Sequence, residues 1–554
     1  MKLRISSCKT AFVKDLTRFA PAWILYLVGM VLVLFTTLSG RASAIVGANL
    51  GKTIDYLSVV NLLYAALCAQ LLFGDLFQSR LCNALHAMPL KRVEWFLCHV
   101  AAGLCFSLVP NAVIALGLFS LLGEFWFVSL FWMAAMTLEF IFFFGLAVLS
   151  MLCTGNRFAM VAVYGILNFL SILVLWFIKT VFEPLIYGFY VSSEPFALLS
   201  PVVHLAGWEH TYVCFEKISG VRVFTGLGDG WGYLLIIAGV GLALGLLALL
   251  LYRRRALETA GDFIAVRPLA PVFCVVYTLT VAAVFAEFGN IFTNEYLGFF
   301  VVGFFVGYFT AQMLLRRTVK VFTGRVFLGC AVFAVALFAS VGLTKLDPAG
   351  YAYWVPDPEQ VKSVALSDGY DHTDPDDWLQ VESFRDIEAI TQLHRDVTEK
   401  LGKYPGEDTV SLSLRYTLKN GRQVTRVYEY GVPADGVKEF FSRAEYVLGY
   451  SGNFAAFRDS SPFVEVGKTA FTGEQARQLL DAIAADCAEG TMAQNWSFHL
   501  KEDSIIWIAF QTSEGEYRDV IVFACAKNTA AWLKEHFELW AYADSKLEEY
   551  FPDP

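Results

Sequence analysis

No GxxxxGK[ST] phosphate loop occurs anywhere in the 554 residues, so the chain has no cradle of that kind for a nucleotide. HExxH, CxxC and GxSxG are missing too, which removes the usual signatures of zinc proteases, thiol redox proteins and nucleophile-elbow hydrolases. His204 and His210, with Glu209 between, lack zinc-ligand spacing and read as interfacial structural residues. No cofactor and no chemistry of the chain's own are expected. Cysteine is scattered rather than patterned: the count of eleven is odd and its spacing is not that of a disulfide scaffold, although a Cys487–Cys525 bond stays open. Charge is scarce, at 17% of residues against 56% hydrophobic, and a mean hydropathy of +0.53 places the chain among membrane proteins.

That charge is also unevenly placed. Residues 1–343 hold 22 Lys and Arg against 15 Asp and Glu, a net of +7, whereas 344–554 hold 20 against 36, a net of −16. The first part reads as membrane-embedded and the second as a soluble acidic domain long enough to bury its own core. Apolar runs predict nine spans, near 20–38, 57–73, 96–121, 125–150, 158–178, 232–252, 271–288, 296–314 and 324–343. With the N-terminus inside, the inner loops carry seventeen basic residues and the outer loops five, Arg41, Lys52, Lys179, Lys217 and Arg222. Nine spans then put the C-terminal domain outside the cell.

Three stretches between the spans stand out. Ser7 to Arg18 has apolar and basic residues at helical spacing and reads as an interfacial helix leading into the first span. Between spans two and three, GDLFQSRLCNALHAMPLKRVEWF (74–96) places Leu81, Leu85 and Met88 on one helical face, ends that helix at Pro89, and carries Arg80, Lys91 and Arg92. A plain positive-inside loop is the alternative. Between spans five and six, 181–191 and 195–208 are too apolar for a solvated loop and too short to cross, so two short outer helices are expected.

Ionisable and amide side chains inside spans are costly and therefore informative. Glu139, within MTLEFIFFFG, either lines a translocation path or is hydrogen-bonded between helices, and Asn168 is placed with it. His99 and Asn111 read as interhelical hydrogen-bonding groups, and Gly241/Gly245 and Gly303/Gly307 as GxxxG contacts. Arg255 and Glu258 are spaced to pair just beyond span six.

The interfacial N-terminal helix, the connector after span two, six spans and two short outer helices before the sixth together resemble the type 2 ABC exporter permeases of Gram-positive bacteria. The words LHAMPLKRVEWF (85–96) and RRRALETAGDF (253–263) carry the same resemblance. It implies a permease core over 1–270, three additional spans over 271–343 and an extracytoplasmic domain over 344–554. In such a permease the connector is a coupling helix, so Arg80, Leu85, His86, Met88, Lys91, Arg92 and Glu94 become ATPase-coupling residues. The implied partners are a cytoplasmic ABC ATPase, a second permease subunit and membrane lipid, with no nucleic acid, in the bacterial cell membrane.

The fold class expected is a polytopic α-helical membrane protein of about nine transmembrane helices with a C-terminal α+β soluble domain. In that domain the spacing predicts helices at 386–401, 434–448, 473–488 behind a Thr472–Gln475 capping box, and 528–549. Alternation predicts a hairpin across 411–430 turning at Asn420-Gly421, and strands at 495–500, 504–511 and 517–525 in one small antiparallel sheet. The acidic run Asp371, Asp374, Asp376 and Asp377 lacks the glycine and distal glutamate of an EF-hand loop and reads as solvated. The alternative function is a membrane receptor or resistance sensor for an extracellular peptide or envelope component.

Overall fold

A computed structural model describes residues 2–38, 43–78, 80–82, 91–207, 210–218, 221–255, 261–266, 268–293, 296–367, 378–400, 409–447, 458, 463–466, 469–492, 504–511, 517–523 and 525–536. Its first part consists of helices α1 (Lys2–Arg18), α2 (Ala20–Leu38), α3 (Ser43–Phe73), α4 (Arg92–Leu122), α5 (Phe127–Cys153), α6 (Arg157–Phe177), the short α7 (Glu194–Leu198) and α8 (Pro201–Gly207), and then, beyond a hairpin of β1 (Val213–Ile218) and β2 (Val221–Leu227), α9 (Gly230–Arg254), α10 (Leu269–Thr293), α11 (Tyr296–Arg316) and α12 (Gly324–Leu346). Among the described residues eight helices are long and apolar enough to cross a membrane, and a ninth span results if the pair Cys8–Arg18 and Ala20–Thr36, bent by 51°, counts as one. The chain is thus a polytopic helical protein with a smaller strand-containing region.

Contacts divide it into two compact units: Met1–Phe177 with Ser192–Ala336, and Ile178–Val191 with Leu337–Pro554. The helices beyond residue 270 belong to the first unit as far as Ala336, and the segment 178–191 belongs to the second.

In the first unit α5 is the central helix, with Trp132, Met136, Phe140, Phe143 and Met151 at or near zero exposure. Glycine lets two helix pairs approach until backbones touch. A Cβ on Gly145 would lie 2.2 Å from the Gly241 carbonyl oxygen, and one on Gly241 would lie 2.5 Å from Phe142 Cα. Gly303 and Gly307 both face α10, where added Cβ atoms would meet Phe285 at 2.6 Å and Thr278 at 2.9 Å. Gly245, by contrast, has open space beside it.

The second unit contains two four-stranded antiparallel sheets rather than the single small one expected. The first half comprises β3 (Val361–Ser367), β4 (Leu379–Val381), α13 (Phe384–Lys400), β5 (Thr409–Leu418), β6 (Gln423–Pro433) and α14 (Ala434–Phe441), with strand order β4-β3-β5-β6. After the single turn α15 (Ala444–Val447), the second half comprises β7 (Phe463–Val466), β8 (Thr469–Phe471), α16 (Glu474–Ala488), β9 (Ser504–Gln511), β10 (Tyr517–Phe523) and α17 (Lys527–His536), with order β8-β7-β9-β10. The two halves repeat the same ββαββα unit with the same pairing. Their first helices bury matching positions: Ile387, Ile390, Thr391, His394, Val397 and Thr398 in α13, and Ala476, Leu479, Leu480, Ile483, Asp486 and Cys487 in α16, each 89 residues further on. Each half has its own apolar cluster, one around Leu412 and Phe441 and the other around Leu479 and Ile508.

Several local expectations change. Residues 181–191 form no outer helix: after a π turn and the 3-10 turn Glu183–Leu185 the chain opens out, because Gly188 takes a φ of +73° where a Cβ would strike the Tyr428 ring at 2.3 Å. Helix α16 has Gly473 as N-cap without a side-chain bond, so the Thr472–Gln475 capping box does not form. Gly473 sits at φ +61°, a backbone turn that takes the place of the hydroxyl cap. Cys487 and Cys525 are free thiols, and the Cys525 thiol donates to the Thr491 carbonyl at 3.3 Å. The hairpin turns at Asn420-Gly421, with Gly421 at φ +82°. The strand expected at 495–500, the run Asp371–Asp377 and residues beyond His536 lie outside the described residues.

His394 is fully buried in the first half, 2.9 Å from Tyr416 Oη and 2.5 Å from Tyr428 Oη. Burial, with Arg426 nearby, pushes its imidazole down to about 3. The unfolded chain therefore takes up a proton near pH 6.5 that the folded chain refuses, and stability falls as pH drops below 6.5 towards 3. The expected loss is roughly 1.4 kcal/mol per pH unit in that window. Amide exchange on β5 and β6 of the intact protein should accelerate accordingly between pH 6.5 and 4.5; protection that is flat after correction for intrinsic exchange rates would refute it.

Candidate functional site

The last residues of the connector, which begin α4, lie where five helix ends meet. A long helix leaves its last carbonyls without intrahelical partners, and in a membrane protein these need donors from the protein itself. Arg255 supplies them for α5: Nη1 donates to Met151 O at 3.0 Å and Leu152 O at 3.3 Å, and Nη2 to Thr154 O at 2.9 Å. Backbone bonds continue the closure, with Gly261 N donating to Gly155 O at 2.7 Å and Ala265 N to Cys153 O at 2.8 Å. Arg92 does the same for α9, its Nη1 donating to the carbonyls of Tyr252, Arg253 and Arg255 at 3.5, 3.4 and 3.0 Å. Arg255 thus binds backbone oxygens, and Glu258, with which it was expected to pair, lies outside the described residues.

Glu94 begins α4 by accepting from Lys91 N at 2.9 Å, and Trp95 lies against Phe73 of α3, His99 and Tyr252 of α9. The amphipathic α1 is pinned at the same place: His99 Nδ1 lies 2.5 Å from Asp15 Oδ2, and the Cys98 thiol donates to Cys8 O at 3.8 Å. The ends of α1, α3, α4, α5 and α9 are therefore joined around the point where the connector enters α4. Of the connector itself, Gly74–Phe77 is a 3-10 turn, Arg80–Cys82 is helical, Leu81 is exposed and Cys82 buried. Leu85, His86 and Met88 lie outside the described residues.

Glu139 stands in a second polar group, deep among α2 to α5. Its Oε2 accepts from Asn61 Nδ2 at 2.9 Å, and the Tyr26 hydroxyl lies 3.0 Å from Asn61 Oδ1 and 3.3 Å from Asn111 Oδ1. Asn111 Nδ2 donates to Ser107 Oγ at 3.1 Å. Tyr26 and Asn61 were not singled out from the sequence, since tyrosine and a lone Asn are unremarkable in an apolar run. Among the described residues Oε1 of Glu139 has no partner. Asn168 is apart from this group: it is buried, donates to Tyr164 O at 2.8 Å in its own helix, and offers its carbonyl to Ser200 Oγ at 2.6 Å.

A third group lies around Asp55, six residues before Asn61 on α3. Asp55 accepts from the Tyr212 hydroxyl at 2.8 Å and from His210 N at 3.2 Å, and His210 Nε2 is 3.1 Å from His204 Nε2. Burial, with His210 beside it, pushes the His204 imidazole down to about 4. Asp55 lies just before the apolar run that starts at 57, whereas α3 begins much earlier, at Ser43. In another place, Glu287 of α10 accepts from Trp176 Nε1 of α6, a second acid inside a span. Among the described residues no cluster of three or more metal-ligating side chains occurs.

Comparison with protein-family models, with curated proteins and with solved structures finds no match for this chain. Function must be argued from the geometry alone.

Replacing Arg255 by Ala removes the donors for the last carbonyls of α5, which sit where water is scarce. An unfolding midpoint in detergent equivalent to a loss of about 1–3 kcal/mol is expected. The exposed Lys320→Ala should stay within about 0.5 kcal/mol of the parent. Equal midpoints for the two variants would show that the Arg255 bonds carry no stability.

Proposed function

We propose that the chain is the permease subunit of an ATP-driven exporter of the type 2 class, worked by a separate cytoplasmic ATPase. The observation that carries this reading is the junction of helix ends beside the connector. Arg92, four residues from the connector's expected end, holds the terminal carbonyls of α9, and Arg255 at the end of α9 holds those of α5. A displacement of the connector is thereby passed to the helix that carries Glu139. The bent pair α1–α2 and the short α7 and α8 before α9 agree with the same reading. In it the N-terminus and connector are cytoplasmic, the second unit is extracytoplasmic, Arg80, Lys91 and Arg92 meet acidic groups or lipid phosphates, and Glu139 and Asn168 flank the route of the substrate. Two permease chains and two ATPases form the working assembly.

Replacing Leu85 and Met88 together by Asp should leave insertion intact but abolish co-purification of the ATPase and its stimulation, a loss of roughly 1.5–3 kcal/mol per fully buried side chain. Lys91→Gln with Arg92→Gln should weaken ATPase docking less, although Arg92 also closes α9, because exposed ion pairs contribute about 0–1 kcal/mol. An Asp double variant that binds and stimulates the ATPase normally would sink the coupling role.

The proposed topology has its own check. A cysteine at Asn420 should react with a membrane-impermeant maleimide in intact cells and one at Gln78 should not; the reverse pattern would invert the orientation.

A second reading, a receptor for an extracellular peptide or envelope component, is favoured by a groove of about 380 Å³ in the second unit, where the rings of Tyr190, Tyr351 and Trp354 stand beside Arg422. Signalling that persists without any ATPase partner would support it over the exporter.

A further inference from the structure

The first unit has an apolar groove that no described residue fills. It has a volume of about 240 Å³ and runs between α4 and α9 over a floor formed by α5, with Phe96, Val100, Phe144, Gly245, Leu246 and Leu249 among its walls. No lining residue is charged or polar. The close approach of Gly145 to Gly241 brings α9 against α5, and Gly245, one turn on, leaves open the space that a side chain would occupy.

One end of the groove is cationic. Leu242, Leu246 and Leu249 follow one face of α9, and Arg253, four residues beyond Leu249, continues that stripe about 6 Å further along the axis. On α4, Arg92 stands four residues before Phe96, at the same end, as its bonds to the carbonyls of Tyr252 and Arg253 require. Lys91 and Arg254 are exposed there as well. Among the described residues no acidic side chain forms an ion pair with Arg253 or Arg254. Glu94, at the start of α4, accepts from Lys91 N.

We propose that this groove binds one anionic phospholipid, with an acyl chain between α4 and α9 and the headgroup phosphate on Arg253, Arg254, Lys91 and Arg92. An apolar slot closed at one end by cations that no described acid pairs matches the two parts of such a molecule. The site rests only on the chain being membrane-embedded, not on the exporter reading. A zwitterionic phospholipid could lie in the slot but would gain less from the arginines, because its ammonium group offsets its phosphate, and inorganic phosphate would gain nothing from the slot.

The test uses the full-length protein, delipidated in mild detergent, titrated with phosphatidylglycerol, phosphatidylcholine or inorganic phosphate and followed by thermal unfolding and native mass spectrometry. Phosphatidylglycerol should bind with at least fivefold higher affinity than phosphatidylcholine, at one molecule per chain, and phosphate should do nothing. Gly245→Phe should lose that bound lipid while melting like the parent without lipid, since nothing lies within 4 Å of an added Cβ. Arg253→Gln with Arg254→Gln should lower phosphatidylglycerol to the level of phosphatidylcholine. Equal binding of the two lipids by the parent would mean annular lipid only. Retention by Gly245→Phe, or an equal effect of phosphate alone, would equally overturn the proposal.

Discussion

The first unit depends on the fact that a buried helix end must find donors for its last carbonyls within the protein. Two arginines answer for two of the central helices: Arg92 for α9 and Arg255 for α5. Each guanidinium offers several donors in a fixed plane, so one side chain reaches two or three carbonyls at once, which a lysine could not do with the same geometry. Arg255 is itself the residue that follows α9, so the closure of α5 depends on where α9 stops, and the closure of α9 depends on where α4 starts. The helix ends are thus fixed in sequence by bonds, and the apolar surfaces between them are held in register by rings such as Trp95 and Tyr252.

The helical layout of the chain was legible because it rests on long apolar runs and on few charges, the two signals that membrane burial writes most clearly. The hairpin at Asn420-Gly421 was legible for a comparable reason, since Gly421 takes a positive φ that most residues avoid. Boundaries were less so. Helix α3 starts near Ser43 rather than 57, and its early turns carry Thr53 and Asp55, which are accommodated by Trp132, Tyr212 and His210, contacts that no single-chain periodicity reveals.

The polar sites show the same limit. Glu139 and Asn111 could be picked out as costly groups in apolar runs, but their common partners Tyr26 and Asn61 could not, since only the packing of four helices brings them together. The groups Arg92 and Arg255 were visible as positive charge at span ends. That they serve backbone oxygens follows from where α5 and α9 end, which is tertiary information.

The duplication in the second unit was hidden for a different reason. The two ββαββα halves share the spacing of buried positions but not their chemistry: His394 in α13 stands where α16 has Ile483, and Asp486 in α16 stands where α13 has Val397. Each polar group is completed by its own half. His394 meets Tyr416 and Tyr428, whereas the Asp486 carboxylate accepts from Asn528 N at 3.0 Å and Thr529 N at 2.7 Å, holding the start of α17. A buried polar residue is tolerated only with its partners, so neither could be exchanged for its counterpart without leaving unsatisfied groups behind. What the halves have in common is therefore geometric, a face of α-helix laid on a sheet of order 2-1-3-4, and this repeats although the residues that fill it do not. The first half further buries Arg426, whose guanidinium lies 4.1 Å from the Tyr351 ring and donates to the carbonyls of Gly188, Tyr351 and Trp354. That cation ties the segment following α6 and the segment following α12 to one edge strand, so this half is shaped around two chain segments that come from the helical part of the sequence.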